Sequence, residues 1–170
     1  MSLINKIIVF LLTIFMFSTN LVSANDLKKI GKFKDWETLV LNKDNEKTCF
    51  AQTKPVLQAP KSDKREARLF VSFRPSDKVV DEISTTSGYE FNSQNRILAT
   101  SGKKKYEFDI TQNSFAWIKS IKVEKKMIKT MKKGSRIMVS GYNKSGSQTI
   151  DHYSLLGFTK AYNTAKKSYT

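Results

Sequence analysis

Residues Arg68–Arg74 alternate without a break: Leu69, Val71 and Phe73 project to one side, Ser72 and Arg74 to the other. A period of two is the pattern of a strand with one face in a core and one toward water. Pro75-Ser76-Asp77 closes the run. The same rhythm extends along most of the chain. Asp35–Leu41 and Lys47–Thr53 flank the polar turn 42–45 and predict a hairpin. Further strands are expected at Val79–Thr85, Tyr89–Phe91, Ile97–Thr100, Lys105–Ile110 and Phe115–Ile118, punctuated by Gly88 and Gly102. Ser135–Tyr142 and Gln148–Leu155 form a second hairpin around turn 143–146, whereas Pro55–Arg65, with two of the three prolines, reads as a loop. Short strands with turn signals at roughly 8–12-residue spacing imply an all-β sandwich or barrel.

Two segments carry a helical period instead. Val123, Met127, Ile128 and Met131 share one stripe opposite a lysine-covered face, and Gly134 is a natural stop. Phe158, Ala161, Tyr162 and Ala165 repeat the pattern near the C-terminus. The expected fold is therefore all-β, with one short amphipathic helix before the last hairpin and a short C-terminal helix. A chain of 170 residues has room for one core, expected over 35–168 behind a basic leader at 25–34.

The first 24 residues read as an address. Lys6 is the only charge before Asp26, an apolar run spans Ile7–Phe17, and Val22-Ser23-Ala24 supplies small residues for a cut between Ala24 and Asn25. These are the parts of a cleaved secretory signal. The run is interrupted by Ser18, Thr19 and Asn20, short of the roughly 20 residues that span a bilayer. No later segment approaches that length, so the exported chain is expected to have no transmembrane segment and to lie in the periplasm or outer envelope.

Charge and chemistry narrow the function. Thirty Lys+Arg against 15 Asp+Glu give a net charge of +15, all but the one charge of Lys6 outside the first 24 residues. One Cys excludes an internal disulfide framework, and one His removes most zinc sites and His-dependent triads. Asp151 adjoins His152, but neighbours along a strand point to opposite faces, and no signature joins Cys49 to His152 as nucleophile and base. Cys49 reads as a small buried hydrophobe. No phosphate loop, metal-spaced cluster or nucleophile elbow is present; the expectation is a non-enzyme without cofactor or metal. The charge is the better lead. Lys103, Lys104, Lys105, Lys125, Lys126, Lys129, Lys132 and Lys133 are clustered and would attract an anionic envelope surface, each by about 1 kcal/mol near a membrane. Nucleic acid is disfavoured: lysine far outnumbers arginine, and Trp36, Phe70, Phe73, Phe115 and Trp117 sit at core-like spacing. An envelope protein bound along a sheet edge is the alternative partner.

The order of motifs resembles the invasion associated locus B family of small exported bacterial proteins. The carrying residues are Asp35-Trp36, Lys47-Thr48-Cys49, Leu69–Pro75, Phe115-Ala116-Trp117, Met131–Gly134, Ile137–Gly141, Gly146, Asp151 and the tail Tyr153–Phe158. The resemblance spans nearly all of 35–166. It implies an immunoglobulin-like β-sandwich in the periplasm or envelope, a role in host-cell invasion in some pathogens, and no catalytic residues to carry over. Relatives carry a second Cys shortly after the tryptophan, able to pair with the one matching Cys49; Glu37–Leu41 has none here.

Overall fold

The computed structural model describes residues 26–44, 46–61 and 64–169; the signal segment and its cut at Ala24 and Asn25 lie outside the described residues. Among the described residues twelve strands form two antiparallel sheets. The first contains β1 (Asp26–Phe33), β2 (Trp36–Lys43), β3 (Glu46–Thr53), β5 (Arg68–Arg74), β6 (Val79–Thr86), β10 (Phe115–Trp117) and β9 (Ile110–Gln112), in that spatial order. The second runs β4 (Leu57–Ala59), β12 (Gln148–Ser154), β11 (Arg136–Tyr142), β7 (Ile97–Ser101), β8 (Lys104–Phe108). Helix α1 (Ile121–Lys133) precedes the β11–β12 hairpin and α2 (Phe158–Tyr169) ends the chain. The architecture is a β-sandwich with two short helices, as the alternation and the two apolar stripes imply.

The register shows why one face of the first sheet is a core. Val40 opposes Cys49, which opposes Phe73; Thr38 opposes Ala51, which opposes Val71, which opposes Ile83. All these side chains are buried. Helix α2 lies on this face. Thr38 Oγ1 donates to the Ala161 carbonyl at 2.9 Å, Phe73 meets Tyr162 edge-on, and Trp36 meets Phe158 at 4.8 Å between ring centroids. Ile137, Val139, Tyr153, Ile97 and Ala99 of the second sheet join the same core.

One seam ties the two ends of the chain together. The Trp36 indole N–H donates to the Ser154 carbonyl at 2.9 Å, and the Asp35 N–H to the Leu156 carbonyl at 3.3 Å. Gly157 passes so close to the β1–β2 turn, with φ +90°, that a Cβ there would sit 1.8 Å from the Phe33 carbonyl oxygen. Only glycine combines that approach with that backbone conformation.

Several expectations need correction. Asp26–Phe33, read as a basic leader, is an edge strand paired with β2 along its length. The supposed loop Pro55–Arg65 contains β4, which pairs with β12 at Leu57–Ala59. Lys105–Ile110 is not one strand: the chain changes sheets at Asp109, giving β8 and β9. Tyr89–Phe91 supplies a single bridge, Phe91 to Asn143. Trp36 and Phe73 are core, but Phe70, Phe115 and Trp117 stand on the outer face with Phe50, linked ring to ring at 5.8–6.1 Å. Their inward-facing neighbours, Val71 and Ala116, take the buried positions.

Candidate functional site

Helix α1 distributes its residues by period. Met127, Ile128 and Met131 are buried, while Lys122, Lys125, Lys126, Lys129 and Lys133 fall at three- and four-residue spacing on the solvent face. Strand β8 lies beside the helix and adds Lys104 and Lys105. Lys104, Lys105, Lys126, Lys129 and Lys133 surround a hollow of about 410 Å³ that also presents Tyr106 and Thr130. The floor is a hydrogen-bonded pair: the Tyr106 and Thr130 hydroxyls lie 2.6 Å apart, and Lys104 Nζ donates to Thr130 Oγ1 at 3.2 Å. A second hollow, lined by Ile121, Lys122, Lys125, Lys126 and Lys129, continues along the helix.

Six of the eight lysines singled out in the sequence thus line adjoining hollows: Lys104, Lys105, Lys125, Lys126, Lys129 and Lys133. Lys103 is exposed in the β7–β8 turn beside them. Lys132 turns away, its Nζ 3.9 Å from the centre of the Tyr162 ring. Lys122 and Arg136 were overlooked; Arg136 lines a third hollow with Lys104 and Lys133. The signal that finds Lys122 is its place one turn before Lys126 on the polar stripe.

Within the described residues none of the lysines lining these hollows forms an ion pair, while Lys29, Lys54, Arg65, Arg68, Arg74, Arg96 and Lys144 all do. The acids of those pairs, Glu37, Glu66, Asp77, Glu82, Glu90, Glu107 and Asp151, all lie outside α1. Like charges at helical three- or four-residue spacing destabilise a helix by about 0.2–0.5 kcal/mol per pair. Lys132 and Lys133 in the last turn recover part of that against the helix dipole. What remains is a positive field that an anion would relieve.

The chemistry weighed against this surface is not assembled. Cys49 lies buried in β3 under α2, its thiol donating to the Ser168 carbonyl at 3.2 Å, and burial pushes its pKa up. His152 sits in β12 of the other sheet, between Met138 and Leu57. Asp151 faces away from it into the interior, where it accepts two hydrogen bonds from the Arg65 guanidinium at 3.0 and 3.1 Å and one each from Gln58 and Ser87. Among the described residues no group of three or more His, Cys, Asp or Glu could hold a metal ion, and no helix is long and apolar enough to cross a membrane.

Three further acids, Asp81, Glu82 and Glu124, gather at one end of α1. Asp81 sits in a β6 bulge with φ +69°, aimed inward to accept a 2.6 Å hydrogen bond from the Tyr162 hydroxyl. Glu82 is held by both arms of Arg74, at 2.7 and 2.9 Å. Glu124 Oε1 accepts the Ile83 N–H at 2.9 Å, standing in for the strand partner that β10 no longer supplies there. Burial pushes the Glu124 carboxyl up to about 7; the Ile83 N–H works against the shift, and Glu82 and Asp81 add to it.

Fold and surface together define a class: a two-sheet sandwich with a lysine-bearing helix on its rim. Residues 36–166 match the Invasion associated locus B (IalB) protein family, and the chain belongs to it. The chain is also similar in structure to the crystal structure of invasion associated protein b from Bartonella henselae, with a TM-score of 0.57 and 12% identity over 83% of this chain and 97% of that one. At that identity the likeness is one of fold. No curated protein matches the chain in sequence.

Proposed function

We propose that this chain is an exported, envelope-associated protein that catalyses no reaction and binds anionic envelope components through the lysines of α1 and β8. The observation that carries the reading is the gathering of those lysines, none of them in an ion pair within the described residues, around adjoining hollows on one face. Membership in the family and the signal-like N-terminus support export. Lysine heads on flexible stems suit a charged surface better than a single shaped anion.

Vesicle sedimentation tests it. The protein should pellet with vesicles containing phosphatidylglycerol and not with pure phosphatidylcholine, and release as salt shortens the Debye length from about 10 Å at 0.1 M to about 3 Å at 1 M. The K126E/K129E double variant should lose most of the binding. Binding indifferent to salt and to that variant overturns the reading. A protein partner retained at high salt would favour the sheet-edge alternative. Against it stand the edges themselves: β4 and β9 have three residues each, β8 carries Lys104 and Lys105, and β1 carries Lys28, Lys29 and Lys32 with a register shift between Lys29 and Gly31. Such features blunt strand addition.

A further inference from the structure

The lysine surface does not end at the helix. Where β10 stops, β6 is left without a partner on that side, and a cleft of about 790 Å³ opens between β6, β9, β10 and the N-terminal half of α1. That volume falls within the range of small-molecule sites. Its walls include Val80, Ile110, Trp117, Ile118 and Ile121. Three of these are among the few large apolar side chains left in water: Val80 is 38% exposed, Ile110 43% and Ile121 63%. Their gathering at one opening is the kind of apolar patch that marks a binding surface.

Ile121 and Lys125 belong both to this cleft and to the adjoining lysine hollow, so apolar wall and positive rim are continuous. Lys119 and Lys166 add charge at the mouth. The acids on the floor are already engaged: Asp81 by Tyr162, Glu82 by Arg74, Glu124 by the Ile83 N–H. They leave the rim lysines free for an outside anion. A ligand that satisfies both parts has an acyl chain and an anionic head.

We infer that this cleft takes the acyl chain of a single anionic phospholipid whose phosphate lies among Lys122, Lys125, Lys126 and Lys129. The inference rests on the lysine reading above and narrows it from a charged surface to an individual amphiphile. Charge complementarity fixes the head, and the exposed apolar wall fixes the chain.

Trp117 reports on the cleft, because Trp36 is fully buried at the far seam. Short-chain phosphatidylglycerol, held below its micelle concentration, should shift Trp117 emission to the blue and bind about three- to fourfold tighter per methylene buried. Trp117→Phe should abolish the shift, which assigns it to the cleft. Ile121→Asp places a carboxylate at the first position of α1, where helices favour one, and should weaken phosphatidylglycerol at least tenfold with the fold intact. Ile110→Asp, on an exposed edge strand, should do the same. Affinity independent of chain length, or glycerophosphoglycerol binding as tightly as the lipid, overturns the inference while leaving the lysine reading in place. Equal affinity for phosphatidylcholine of the same chain length also overturns it. Loss of binding to anionic vesicles by the unmodified protein brings down both.

Discussion

The molecule treats charge in two opposite ways. Where β4 and β12 meet, Arg65 and Asp151 are taken almost wholly out of water, at 4% and 0% side-chain exposure, and the carboxylate is saturated by Arg65, Gln58 and Ser87. Along α1 and β8 the lysines stay in water without ion pairs. The first arrangement locks the segment 57–65 onto the second sheet, because removing one member of a buried pair leaves the other stranded. The second adds little to the fold beyond the Lys104–Thr130 hydrogen bond and the Lys132–Tyr162 contact, and costs a little through self-repulsion. A charge cluster that the structure does not need is available for something outside it.

The contrast breaks most visibly at Asp151. Asp151→Ala should lower stability by about 3–5 kcal/mol in denaturant unfolding, yet leave vesicle binding of the folded fraction unchanged. If binding fell in parallel, the two regions would not be independent.

Glu124 is intermediate, buried but poorly compensated. Its carboxyl titrates near 4.5 when unfolded and at about 7 when folded, so the folded chain holds a proton over that interval that the unfolded chain releases. The contribution is full below about pH 4.5 and is lost as pH rises through 7. Glu82 and Asp81 of β6 act on it directly, and Arg74, Lys119, Lys125 and Lys166 line the same cleft. Glu124→Gln keeps an acceptor for the Ile83 N–H. It should flatten stability between pH 5 and 8 and gain about 1–3 kcal/mol at pH 8, measured as urea midpoints across pH.

Lys132 sharpens the boundary of the surface. Lys132→Ala should cost about 0.5–1 kcal/mol through its ring contact with Tyr162, and anionic vesicles should bind it as they bind the unmodified protein. Reversing Lys126 and Lys129 should do the converse, changing stability by less than about 0.5 kcal/mol per residue while removing most of the binding. A large stability loss there would show that these lysines serve the fold.

Legibility followed the same division. The strands whose inward residues are uniformly apolar, such as β5 with Leu69, Val71 and Phe73, and the two helices with their stripes, were readable because burial imposes a period. β1 was missed because an edge strand with an exposed face is under no such demand; Leu27, Lys28, Lys29 and Ile30 show no alternation. β4 was hidden among prolines, since what makes it a strand is β12, with Gln58 and Asp151 facing each other 93 residues apart. Aromatic character placed Phe70 and Trp117 in the core, but the register gives the inward positions to their neighbours. The lysine surface was visible as a count and a spacing. Its junction with the cleft was not, because Val80, Ile110 and Ile121 come from three elements and meet only in three dimensions.

The seam at Gly157 bears on what kinship in this family can mean. Trp36 and the tail Tyr153–Phe158, which most strongly carry the resemblance, interlock there through the indole N–H, the Trp36–Phe158 ring contact and the side-chain-free approach to Phe33. They form a clasp that closes the first sheet over the last hairpin. Its spelling is dictated by the fit of backbone to backbone, far from the lysines of α1. The clasp depends on that backbone fit and not on the rim, so a change of rim lysines leaves it intact. Membership certifies the fastening of the fold and leaves its choice of ligand to be read from each rim in turn.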